Sequence, residues 1–292
     1  MKKVIFDCDN TMGVEGCDVD DGLALLYLLG KGWIEICGIT TTFGNSDLKT
    51  VYSATQKLLN DIDATHIPLL EGSPDKHTLT SDAAEFIVAT VNANQENISL
   101  LALGSLTNIY GAYLLDNEIF EKVSKIVLMG GITQELIIKG KVLNELNFSC
   151  DPAAAQCVLK NGRNVSVITG NNCLDAFFTK KDFDERLLSS DNPAAKYIAR
   201  KCLYWFQNMM CTFNINGFHN WDVVAAVYLV EPSLFKDSLH HITPNLTNLE
   251  KGLLVNETED AFPCVINLPT IDNLKMFTDD VYKAWLSLKI GF

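Results

Sequence analysis

The 292-residue sequence predicts an α/β fold: a single domain with a mostly parallel central sheet flanked by helices, an open Rossmann-like core. Two observations carry that prediction. Short runs at residues 4–6, 34–40, 98–103, 126–129 and 165–169 are predominantly apolar, the pattern of strands buried on both faces. Between them lie segments of helical periodicity at 23–29, 48–59 and 83–91, the second with Val51, Ala54 and Leu58 on one face. Strand–helix alternation of this kind reads as a parallel sheet with a helix on each crossover. No Pro/Gly/Ser-rich linker, low-complexity tract or fixed-period repeat interrupts the pattern, so one domain is expected over 1–292.

Composition narrows the function classes. A formal charge of −13 and a pI near 4.8 repel a phosphate backbone, which excludes a general nucleic-acid binder and favours a small neutral ligand or a cation. The apolar run after Lys2 and Lys3 breaks at Asp7, too early for a signal peptide or a membrane span, so a cytoplasmic location is expected. Nine cysteines without a C-x-x-C pair indicate neither a disulfide framework nor a zinc site, and most read as small core residues.

In parallel sheets ligands bind beyond the carboxyl ends of the strands. The residues there are polar: Asp7 and Asp9, Asn45, Gly104-Ser105, Gly130-Gly131 and Asn171-Asn172. The first strand end is the densest, because residues 7–22 hold five aspartates and one glutamate. Carboxylates so close repel one another unless a cation sits among them, and an all-oxygen donor set suits calcium or magnesium. A carboxylate not committed to the ion is then free to act as general base on water. The bland alternative has Asp20 and Asp21 capping a helix that begins near Gly22, which accounts for one acid and not five.

Taken alone, Val4-Ile5-Phe6-Asp7-Cys8-Asp9-Asn10-Thr11 resembles the nucleophile motif of haloacid dehalogenase-like phosphatases, with Asp7 as nucleophile. The remaining segments point elsewhere. The Asp-x-Asp...Asp-Asp pattern, Gly38 to Asn45, Leu103-Gly104-Ser105-Leu106-Thr107-Asn108, Met129-Gly130-Gly131, Glu145-Leu146-Asn147-Phe148 with Asp151-Pro152-Ala153-Ala154, and Trp221-Asp222 occur in the order of the nucleoside hydrolase family. The chain resembles that family from residue 3 to about residue 235.

The resemblance implies hydrolysis of the N-glycosidic bond of free ribonucleosides, in nucleoside catabolism or purine salvage, by a homodimer or homotetramer. It implies one calcium ion, ahead of magnesium, held by Asp9, Asp21, Asp222 and the backbone carbonyl of Leu103. Asp20 would be the base that activates water and Asp7 a partner behind the ligands, while Asn45, Glu145 and Asn147 would hold the ribose hydroxyls. A non-catalytic relative binding nucleoside or calcium is the remaining alternative.

On the residues themselves, Asn45 and Asp222 are also plausible helix caps, and Glu145 and Asn147 plausible loop residues. Where many relatives carry a histidine before the late aspartate, this chain has Trp221, which the purine-preferring members stack on the base. His219 is a substitute candidate for the leaving-group acid. The loop between Asp9 and Asp20 is longer than the family pattern and brings Asp18 or Glu15 into reach as an extra ligand. Lys139 falls near the position of an asparagine that many relatives turn toward the 5′ side of ribose.

Overall fold

A computed structural model of the chain describes residues 1–255 and 263–290. Its centre is an eight-stranded sheet. In chain order the strands are β1 (Lys2–Cys8), β2 (Ile34–Thr41), β3 (Leu69–Glu71), β4 (Ile98–Ala102), β5 (Lys125–Met129), β6 (Val165–Ile168), β7 (Leu239–Ile242) and β8 (Cys264–Asn267). In space they run β7-β8-β6-β5-β4-β1-β2-β3, all neighbours parallel except the β7–β8 pair at one edge. The five apolar runs of the sequence are β1, β2, β4, β5 and β6.

Strand periodicity distributes these runs over two cores. Val4, Phe6 and Leu101 face one side, packed with the helices Asp20–Gly30, Trp221–Val230 and Leu274–Ser287. Ile5, Leu100 and Ala102 face the other, against Asp82–Ala93, Thr107–Leu115 and Pro152–Asn161. Each Leu, Ile or Val so enclosed contributes roughly 1.5–3 kcal/mol of transfer free energy. The helix Trp221–Val230 is buried on every side because its sequence is apolar all round after Asp222.

Two expectations are corrected here. The first helix starts at Asp20, not near Gly22, and its first turn therefore contains both aspartates. Only Cys8, Cys173 and Cys202 are buried; five cysteines are partly exposed and Cys211 is open to solvent. Among the described residues no helix is long and apolar enough to cross a membrane.

Candidate active site

The sheet order fixes where a site can form. β1 lies between β4 and β2, so the chain leaves its carboxyl end toward both sides and a crevice opens there. Asp9 follows β1 directly and is fully buried. Two glycines make room for it: a Cβ on Gly44 would lie 1.9 Å from Asp9 Oδ2, and one on Gly104 would lie 3.0 Å from its Cγ. Asn45 holds the carboxylate from the open side, its backbone N–H donating to Oδ2 at 2.7 Å and its amide to Oδ1 at 3.2 Å. The capping alternative for Asn45 fails, because Asp47 caps the helix Leu48–Asp61 through the N–H of Thr50.

Asp20, Asp21 and Asp222 offer carboxylate oxygens that all lie within 4.8 Å of one another, although 200 residues separate Asp222 from the others. Two helix N-termini bring them together, since the helices Asp20–Gly30 and Trp221–Val230 pack side by side and carry these acids in their first turns. Neither helix has a side-chain cap of its own; instead Asp20 Oδ2 accepts the N–H of Asp222 at 3.1 Å. The helix dipoles favour the carboxylates, by up to ~2 kcal/mol each where partly buried.

That is not enough to balance the site. Burial first, and then the charges of the neighbouring aspartates, push the carboxyls of Asp20, Asp21 and Asp222 well above the usual carboxylate range, and Asp9 is raised mainly by burial. None of the four forms a salt bridge among the described residues. Asp21 Oδ1 is buried with no hydrogen-bond partner. An orphaned oxygen, three converging acids with Asp9 beside them and no salt-bridge partner among the described residues fit a hard divalent cation.

Asp7 stands behind this group. Its Oδ1 accepts from Thr40 at 2.5 Å and from Asn108 at 2.8 Å, while Oδ2 is buried and unpartnered. Burial raises its pKa to about 7 against those two hydrogen bonds. Only 1% exposed and absent from the cleft wall, Asp7 is poorly placed as a nucleophile, which must itself touch the substrate. Asn108 also binds the carbonyl of Thr41 and the N–H of Ser73, so the Leu-Thr-Asn turn ties three strand ends together. Similarly Asp151 accepts from Ala154 N and Thr107 Oγ1, making the Asp-Pro-Ala-Ala segment a helix start. These were legible as motifs but not as braces.

The acids border a cleft of about 190 Å³ that opens to solvent. Its wall contains Asp18, Asp20, Asn45, Leu103, Glu145, Asn147, Trp221 and Asp222. Apolar residues that sequence reasoning missed, Ile132, Leu136 and Leu143, complete it, together with Asn144. Two of them come from the hairpin Leu136–Ile138/Lys141–Leu143, whose strands are too short to show a period. Glu145 is fixed by three backbone donors: Gly131 and Phe148 to Oε1, Ser149 to Oε2. Gly131 presents its N–H from a φ of 71°, a conformation that favours glycine. Asn147 spends its amide N–H groups on the carbonyls of Leu103 at 2.8 Å and Met129 at 3.0 Å. The Leu103 carbonyl expected at the ion therefore already accepts one hydrogen bond and keeps one lone pair.

Three sequence candidates lie differently. Lys139 is exposed at the tip of the hairpin, where it and Gly140 both adopt positive φ to make the turn, and it does not line the cleft. Glu15 is exposed as well, whereas Asp18 does reach the cleft. His219 sits behind Trp221, not in the cleft wall, with ring centroids 5.0 Å from Trp221 and 5.0 Å from Phe177. Its Nδ1 is buried without a partner, and desolvation lowers its pKa to about 4. A ring that is neutral at pH 7 and screened by Trp221 is poorly placed as an acid.

A parallel sheet with carboxylates converging at the carboxyl end of its central strand defines an α/β enzyme of the metal-assisted hydrolase class. The profile of the inosine-uridine preferring nucleoside hydrolases matches residues 4–273, and the chain belongs to that family. It is thus a hydrolase acting on N-glycosyl bonds of nucleosides, in a metal-dependent family. The probable uridine nucleosidase 1 of Oryza sativa subsp. japonica is 28% identical over 271 residues, covering 82% of this chain and 79% of the relative. The inosine-uridine preferring nucleoside hydrolase of Crithidia fasciculata is 24% identical over 292 residues, covering 90% of each. The purine-preferring ribonucleoside hydrolase from Gardnerella vaginalis has the same fold, with a TM-score of 0.85, 20% identity and 99% of each chain covered. A plant nucleoside hydrolase aligns with a TM-score of 0.84 at 22% identity, covering 98% of this chain and 99% of the other.

Proposed function

We propose that this chain cleaves free ribonucleosides to base and ribose, using the carboxylate group at the end of β1 to hold one divalent cation, calcium ahead of magnesium. The observation that carries the reading is the convergence of Asp20, Asp21 and Asp222 within 4.8 Å, with Asp20 and Asp222 in the wall of the cleft. Held there, such an ion would supply Lewis-acid activation of water. The residues that would hold it are Asp21 and Asp222 with either Asp9 or Asp20, and the carbonyl of Leu103.

The remaining steps belong to the protein. Asn45, Glu145 and Asn147 line the cleft beside the acids and would grip the ribose hydroxyls, which fixes the sugar in its reactive geometry. Water adds its oxygen to C1′ as the C1′–N bond breaks, a carboxylate takes the water's proton, and the base leaves with the bond's electron pair and is protonated. Asp20 is our proton acceptor, because its carboxylate lines the cleft. If Asp20 instead completes the ligand trio it forms with Asp21 and Asp222, Asp9 is the acid left off the ion, although it is fully buried and does not line the cleft. Trp221 would face the departing base and bind its ring by stacking. We also propose a homodimer or homotetramer by analogy with the family, and one domain per chain and a cytoplasmic location from the sequence pattern.

The test is release of free ribose from a panel of purine and pyrimidine ribonucleosides, with and without chelator. Release that survives exhaustive chelation removes the cation from the account. In parallel, Asp9→Asn and Asp20→Asn are compared for cation affinity and kcat: the variant that keeps the ion and loses turnover marks the acceptor.

A further inference from the structure

Asp18 reaches the cleft on a loop, residues 10–19, that is built to hold it there. Thr11 Oγ1 donates to the carbonyl of Asp18 at 3.1 Å, and the N–H of Gly13 donates to Tyr204 Oη at 3.0 Å. Asn10 accepts the N–H of Met12 at 3.0 Å and donates to Thr55 Oγ1 at 3.2 Å. The loop is thereby fastened to the helices Leu48–Asp61 and Pro193–Phe213. Asp18 Oδ1 accepts the N–H groups of Val19 at 2.6 Å and Asp20 at 3.1 Å, which sets the direction of the carboxylate. The Asp18 side chain also meets the Asp20 carboxyl, and it lines the cleft with Asn45 and Trp221.

Two uses of the Asp18 carboxylate in the cleft are open to it, an ion or the substrate, and the geometry separates them. The acids whose oxygens converge for an ion are Asp20, Asp21 and Asp222, without Asp18. A carboxylate is an acceptor only, so its partner in the cleft must be an O–H or N–H donor. We infer that Asp18 is a substrate-binding residue supplied by the 10–19 loop, accepting a hydrogen bond from the bound nucleoside, from either a sugar hydroxyl or a ring N–H of the base. The inference rests on the cleft being the nucleoside site.

Asp18→Asn is the discriminating variant, since the asparagine Oδ1 still accepts from Val19 and Asp20 while Oδ2 becomes a donor. Steady-state kinetics on inosine, 2′-deoxyinosine, 3′-deoxyinosine and purine riboside are compared with calcium titration of the same protein. For inosine kcat/KM falls by about 10- to 100-fold, the range for a hydrogen bond to a charged group, while the calcium Kd stays within about threefold. Loss of the penalty on one deoxyinosine assigns a sugar hydroxyl; loss of it on purine riboside, which lacks the ring N–H, assigns the base. Glu15→Gln, exposed on the same loop, leaves all values unchanged. An equal penalty on all four substrates, no penalty on any, or a calcium affinity that falls in step with activity overturns the inference. Wild-type protein that releases no ribose from any ribonucleoside overturns instead the assignment of the cleft.

Discussion

At the scale of single residues the site is governed by close approach. Asp9 fits only because residues 44 and 104 are glycines, so Gly44→Ala, with its Cβ 1.9 Å from Asp9 Oδ2, should displace the carboxylate. We expect folded protein by circular dichroism with hydrolysis reduced by more than about 10²-fold, the scale of a ~1 Å misplacement. Asn45→Ala removes the side-chain donor to Asp9 and should cost about 10- to 100-fold in cation affinity, as loss of a partner behind a ligand does; titration calorimetry reads it. Asp7 supplies a pH signature. Its folded pKa, about 7, lies above the ordinary carboxylate value near 3.9, so the folded form binds the proton more tightly than the unfolded chain. The stabilisation is full below about pH 4 and is lost as pH rises to 7. Asp7→Asn abolishes that loss, and its Tm relative to wild type should be higher at pH 8 than at pH 4.5; parallel Tm curves would show that Asp7 does not titrate in this range.

At the scale of elements, the decisive feature is a pair of helix N-termini meeting at a strand end. The five strands of the parallel core were legible because each is a short, mostly apolar run, and the acids following β1 were legible because no cap needs so many. The hairpin Leu136–Ile138/Lys141–Leu143 and the edge strands were not, since two- to four-residue pieces carry no period and their pairing is decided by neighbours distant in sequence. The same limit explains Lys139: its place near the sugar was inferred by alignment, and the hairpin turn carries it outward. His219 was a reasonable acid by type, but in the short pairing of Gly217–His219 with Phe177–Thr179 its ring packs at a tilt against both Phe177 and Trp221. It should therefore act through packing. His219→Phe should keep kcat within about threefold and leave the pH–kcat profile between pH 5 and 8 unchanged, a replacement of similar volume being well tolerated; a lost limb in that profile would restore it as an acid.

At the scale of the whole molecule, a chain with a formal charge of −13 concentrates buried negative charge at one sheet end and leaves it without a protein counter-ion. The acids raised in the folded state make the cation-free protein lose stability as pH rises from about 4, because the unfolded chain gives up those protons more readily. A bound cation reverses this, so the rise in Tm on adding calcium should be larger at pH 8 than at pH 5, as differential scanning calorimetry would show. All of it depends on residues far apart in the chain sharing one ion. The most direct test is calcium titration of wild type and Asp222→Asn, with ribose release assayed on the same samples. The account predicts one ion per chain and, in the variant, a Kd weakened by more than about 10²-fold, together with lost turnover. Unchanged calcium affinity in Asp222→Asn would contradict it.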